Sequence, residues 1–258
     1  MPRLNLLREL TLRELSARYR GSVLGAAWAV GTPLLMLAVY ALVFGEILSV
    51  RWPQATHSSS GEFAVVMFAG LLVFNFFAEC VSRAPALITG NVNYVKKVVF
   101  PVELLPVAAV LAAIVQMLLS VAILLVFEIL LIGRVPPTVL LLPVVILPVC
   151  LFCLGAAWLL ASLGVYLRDV QQLVGVLLGG LIFLTPIFYP AEMIPAKWRI
   201  FLDLNPLTIP VNHVRDVLVF GRIPAIAEWS VALVAGALVA VVGYAWFART
   251  RSGMADVL

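Results

Sequence analysis

Two cysteines three positions apart, Cys150 and Cys153, and two histidines, His57 and His213, are the residues whose types most invite a chemical reading. C-x-x-C spacing suits zinc or thiol–disulfide exchange. Here it sits inside "LPVCLFCLGAAW" with neither histidine nor acid beside it, so the sulfurs read as small buried apolar groups. Cys80 stands apart, and no disulfide framework is implied. The histidines are far from each other. No H-E-x-x-H, no G-x-S-x-G and no G-x-x-x-x-G-K phosphate loop occurs, and the dipeptide Gly-Lys is absent. The chain is therefore expected to hold no cofactor, no metal and no nucleotide of its own. Glu79 and Arg83, four apart, are expected to pair. Glu46, Glu103 and Glu128 fall near the ends of apolar runs. Neither a chain of intramembrane acids nor an arginine ladder is present, so proton relay and voltage sensing are set aside.

Those few polar groups are spread through a chain of 258 residues that is 64% hydrophobic and 12% charged. Soluble domains run at about 45–50% apolar and about 25% charged. One core cannot hide that much apolar surface, so lipid is the expected solvent. The net charge of +4 then bears on topology rather than on nucleic acid.

A helix needs about 20 mostly apolar residues to cross the hydrocarbon layer. Runs at 23–50, 63–82, 102–132, 138–167 and 229–248 meet this, and 171–189 is a shorter sixth. They are continuous rather than alternating, which predicts helices and not a β-barrel. Six spans place both termini on one side. If that side is cytoplasmic, eleven of the 17 Lys and Arg residues are inside, as the positive-inside rule favours. No apolar stretch closely follows the charged N-terminus, so it does not read as a signal peptide.

Residues 1–21 predict a helix lying on the membrane surface. Leu4, Leu7, Leu12, Leu15 and Tyr19 share one broad face, and Glu9/Arg13 and Glu14/Arg18 have i,i+4 spacing. A solvated leader is the alternative. Residues 190–225 are too polar to span and too apolar for a plain loop. Asn205-Pro206 breaks them into two short amphipathic pieces, which predicts a re-entrant hairpin beside a water-filled path. A surface loop with one helix is the alternative. Aromatic residues could stack on sugar rings along such a path: Tyr40, Phe44, Phe68, Phe74, Phe77, Phe183, Phe188 and Tyr189. Helix packing or contact with lipid is the better account of any one of them taken singly.

Motifs then carry a resemblance. "RELSARYRGSVLGAAWAVGTPLLMLAVYALVFG" (13–45) is followed in order by "FAGLLVFNFFAE" (68–79), "NVNYVKKVVFP" (91–101), "GVYLRDV" (164–170), "LTPIFYPAEMIP" (184–195), "NPLT" (205–208) and "YAWFARTRSGMADVL" (244–258). Together they resemble the type-2 ABC exporter permeases that move polysaccharides, covering essentially the whole chain. O-antigen permeases are the nearest likeness, with capsule and teichoic-acid permeases as relatives. The resemblance implies a single transmembrane domain over 1–258 that works as a homodimer with two ATP-binding subunits, where ATP and magnesium would be held. It implies a coupling loop at 84–100, with Asn91, Asn93, Tyr94, Lys96 and Lys97 facing the ATPase together with Arg18 and Arg20. It makes 190–225 a periplasmic gate, with Phe201, Asn205, Pro206, Leu207 and Val211 at its centre. Where relatives often carry an acid soon after NPLT, this chain has Asn212-His213.

The expectation is therefore an all-α polytopic membrane protein with six transmembrane helices, an N-terminal interfacial helix and re-entrant gate helices between spans 5 and 6. It would sit in a bacterial inner membrane, export lipid-linked polysaccharide, and contact membrane lipid but no nucleic acid. A type-2 permease for a drug or small lipid, and a membrane assembly protein without transport, are the rivals.

Overall fold

The computed structural model describes residues 2–19, 21, 23–47, 60–95 and 100–257. Among these, every regular element is helical. Helix α1 runs Pro2–Tyr19. Helix α2, Trp28–Tyr40, continues through a widened π-helical segment, Ala41–Ile47. Helix α3 is Ser60–Arg83, α4 is Leu104–Leu131, α5 is Leu147–Tyr166 and α6 is Val170–Leu184. Two short helices follow, α7 (Arg199–Asp203) and α8 (Thr208–Arg215). The last, α9, runs Ile226–Val257.

Among the described residues, four stretches are long and apolar enough to cross a membrane: Gly61–Arg83, Leu104–Leu131, Pro137–Tyr166 and Ile226–Met254. The chain is thus an all-helical, polytopic membrane protein. The two other expected spans are shorter apolar helices, Trp28–Val43 and Val170–Leu184. The first begins as an α-helix only at Trp28, after a 3-10 turn at Gly25–Ala27, and runs through Pro33 into the π-helical segment. The second stops at Leu184 because Thr185 precedes Pro186; proline disfavours the helical region for its predecessor, and Thr185 has turned extended at ψ 135°.

Helix α3 is the axis of the bundle. Its apolar window is 83% buried, against 17% for α9 at the perimeter. Helices α2, α4, α5, α6 and α8 all pack on it. The pairing of α5 with α9 is the most extensive, and glycine allows it. A Cβ on Gly243 would stand 2.1 Å from the Gly155 carbonyl oxygen, and one on Gly155 would stand 2.3 Å from that of Val239. Small residues that let helix backbones touch are a common way to hold helices together in lipid, where no hydrophobic force drives them. Polar clasps close the α1 end of this pair. Ser162 and Thr250 hydroxyls lie 2.7 Å apart, Tyr166 donates to the Thr250 carbonyl at 2.9 Å, and Arg251 pairs with Glu103 at 2.9 Å.

The N-terminal helix turns a partly polar side toward the bundle. Leu4 and Leu12 are exposed, while Leu10 and Glu14 are buried. The close ion pairs made by α1 run to other helices rather than along it: Glu14 meets Arg83 of α3 at 2.6 Å, and Arg18 contacts Glu79 of α3. Glu79 and Arg83, expected to pair with each other, are 3.8 Å apart. Each has its nearer partner on α1. The polar stripe of α1 is thus turned inward by α3, which rotates two of the leucines outward.

Candidate functional site

Three regions hold the residues singled out above. The first is the end of the bundle that carries α1. After α3, residues 84–95 form two helical turns, Ala86–Thr89 and Val92–Val95. Arg13 of α1 reaches across to them. Its guanidinium donates to the Tyr94 hydroxyl at 2.8 Å and to Asn91 Oδ1 at 2.7 Å, and lies 4.9 Å from the centre of the Tyr94 ring. Tyr94 also packs on Phe100, ring centres 4.6 Å apart. Asn91 is braced from its other side, its Nδ2 donating to the Leu87 carbonyl at 2.8 Å. Gln171, at the start of α6, donates to the Ser82 carbonyl at 3.0 Å. The loop, α1, the end of α3 and the start of α6 are therefore tied together by charged or polar contacts. Asn93 is exposed beside them. Arg20, Lys96 and Lys97 lie outside the described residues.

The aromatic candidates divide into two groups. Tyr40 and Phe188 rings are 6.2 Å apart, Phe188 and Phe183 are 6.0 Å apart, and the Tyr189 hydroxyl donates to the Phe183 carbonyl at 2.7 Å. These four, from α2 and from the end of α6 onward, form one patch. Phe68 joins Tyr40 in the wall of a cavity between α2, α3 and α4. Phe74 and Phe77 belong to the packed core, Phe77 lying 6.0 Å from the Phe152 ring. The backbone of Phe44 falls in the π-helical segment after α2.

The third region is 190–225. The helix break falls where Asn205-Pro206 predicts it, between α7 and α8. Asn205 is 7% exposed and holds the break together. Its Nδ2 donates to Thr185 Oγ1 at 3.0 Å and to the Leu184 carbonyl at 3.2 Å, while its Oδ1 accepts the Leu207 amide at 2.9 Å. Leu207 and Val211 are fully buried. Phe201 is half exposed and stacks on Trp198, ring centres 5.8 Å apart. Pro206 is exposed at the turn.

Sequence reasoning passed over Arg215. It is 2% exposed and donates to three backbone carbonyls: Val66 on α3 at 3.1 Å, and Pro186 and Ile187 after α6 at 2.6 and 2.8 Å. Its guanidinium fills the space beside Gly70, where a Cβ would meet Nη2 at 2.7 Å. The signal was available, a lone arginine in "IPVNHVRDVLVF". Beside it, His213 Nε2 lies 3.2 Å from Glu228 at the start of α9.

Polar contacts thus tie the α1 end together and a broken hairpin is held at the other, and among the described residues no cluster of three or more His, Cys, Asp or Glu that could hold a metal ion is assembled. Residues 5–219 match the family described as ABC-2 type transporter. The chain belongs to that family. Its membership is that of a transport subunit. The chain is 33% identical to an O-antigen export system permease protein of Myxococcus xanthus, over 85% of this chain and 82% of the relative. It is 26% identical to an O-antigen export system permease protein of Klebsiella pneumoniae, over 98% and 95%. It is also 27% identical to the polysialic acid transport protein of Escherichia coli, over 83% and 81%.

Proposed function

We propose that this chain is the membrane-spanning subunit of an ABC exporter that moves a lipid-linked polysaccharide, O-antigen being the favoured class, across a bacterial inner membrane. The observation that carries this is similarity to O-antigen export permeases along nearly the full length of both chains. The working unit is a homodimer with two separate ATP-binding subunits, which hold ATP and magnesium; the absence of a phosphate loop from the sequence supports that division. Trp28–Val43 and Val170–Leu184 complete six spans, with both termini in the cytoplasm. The loop at 84–100 and the surface helix at 1–21 receive the motion of the ATPase. Arg13, Tyr94 and Asn91 make them one unit. The segment 190–225 is the periplasmic gate, and the patch of Tyr40, Phe183, Phe188 and Tyr189 lies along the glycan path.

Deletion of the gene in its native host tests the reading. Surface polysaccharide should disappear and lipid-linked glycan should accumulate inside, and a plasmid copy should reverse both. Intact surface polysaccharide in the deletion strain would overturn it, and a dispensable ATP-binding partner would overturn the division of labour.

A further inference from the structure

Between Glu62 and Phe77, every residue of α3 is buried except one, Asn75. Its amide has no hydrogen-bonding partner among the described residues. An amide within an apolar span is costly unless something satisfies it, because lipid offers neither donors nor acceptors. Asn75 is not turned to an apolar neighbour. It opens onto the cavity between α2, α3 and α4, with a volume of about 430 Å³, within the usual ~300–1,000 Å³ range of small-molecule clefts.

The lining of that cavity names a class of ligand. Thr32, Gln116 and Ser120 supply uncharged polar groups, and Trp28, Tyr40 and Phe76 supply rings. Gln116 already donates to the Ala29 carbonyl at 2.9 Å, and Ser120 to the Gln116 carbonyl at 3.1 Å, whereas the Asn75 amide is left over. The charges at one end, Arg18 and Glu79, engage each other, so the cavity presents no open cation to an anionic group. An acyl chain would leave the Asn75 amide unsatisfied. Neutral donors and acceptors beside aromatic faces suit a polyhydroxyl ring, whose rim hydrogen-bonds while its C–H face stacks.

Resting on the export reading above, we propose that this cavity is a sugar-contacting station on the transport path and that Asn75 hydrogen-bonds a glycan hydroxyl there. The residue selects for the polar rim of a sugar; the surrounding rings accept any sugar face.

Photo-cross-linking in the assembled exporter, in native membranes making their own glycan, tests this. The photoprobe p-benzoylphenylalanine replaces Met36, which lines the cavity and leaves Asn75 in place. Adducts are read by periodate oxidation and hydrazide labelling, which detects any sugar with vicinal hydroxyls. A probe at Leu238, exposed on α9, is the lipid-facing control. Sugar label is expected at position 36 and not at 238. Asn75→Leu in the same background should lower it about tenfold, the worth of one hydrogen bond, and Asn75→Gln should restore most of it. Adducts at 36 that hold only lipid or a second copy of the chain overturn the proposal, as does sugar labelling unchanged by Asn75→Leu. If gene deletion leaves export intact, the export reading itself fails. If deletion blocks export while position 36 captures no sugar, only this station is lost.

Discussion

Arg215 shows how much structure one buried cation can organise. Three backbone carbonyls from two other segments converge on it, so α8 is held to α3 and to the turn after α6 at a single side chain. Arg215→Met keeps the bulk and removes the donors. It should destabilise the protein by about 2–3 kcal/mol, since buried carbonyls lose their partner. Thermal unfolding in detergent would show the drop, and the purified variant should be cleaved faster by protease within 190–225. Asp216, next to it, carries a milder conflict. Burial pushes its carboxyl above the ordinary range, with His213 and Arg222 pulling the other way. Because the folded state holds that proton more tightly than the unfolded one, the stability from this group is present at acid pH and is lost as pH rises through the raised value. Asp216→Asn should therefore raise the melting temperature at pH 7, and the gap from wild type should close near pH 4.

At the scale of elements, the α5–α9 pair depends on backbone contact. Gly243→Ala places a methyl 2.1 Å from the Gly155 carbonyl oxygen, where no flexible side chain can yield. The helices must separate, at a cost of about 1–3 kcal/mol or more, and lower accumulation in membranes is the expected readout. The α1 end makes the opposite prediction. Arg13→Ala removes the bonds to Tyr94 and Asn91 without touching a span. Membrane levels should stay normal while glycan export falls severalfold, measured against the ATPase activity of the assembled complex. Much at this scale was legible in the sequence. Long apolar runs allow only helices in lipid, and Asn205-Pro206 marks its own break, so four spans and the bent segment could be read directly. The inward face of α1 could not. The partners of Glu14 and Arg18 lie 69 and 61 positions along the chain, on α3. Asn75 and Arg215 escaped for the same reason: each takes its meaning from helices distant in sequence.

At the scale of the whole molecule, α6 is short for a helix that crosses a bilayer. Its 15 residues rise ~22 Å at 1.5 Å each, and a hydrocarbon layer is ~30 Å thick. In the six-span reading this helix falls ~8 Å short, and Thr185-Pro186 prevents it from growing. Lipid beside it must thin, or the irregular segment after Leu184 must fill the gap. Hydrophobic mismatch of this kind costs fractions of a kcal/mol per ångström, enough to bias which conformation is favoured. Transport should then depend on acyl-chain length. In proteoliposomes holding the complete exporter, the rate is expected to peak in bilayers of 14- to 16-carbon lipids and to fall severalfold in 20- to 22-carbon lipids, while the ATP-binding subunits stay attached. A rate indifferent to chain length would show that the short helix never meets lipid at full depth. The membrane, on this view, is a mechanical component of the exporter, and its thickness is a setting the cell can change without touching the protein.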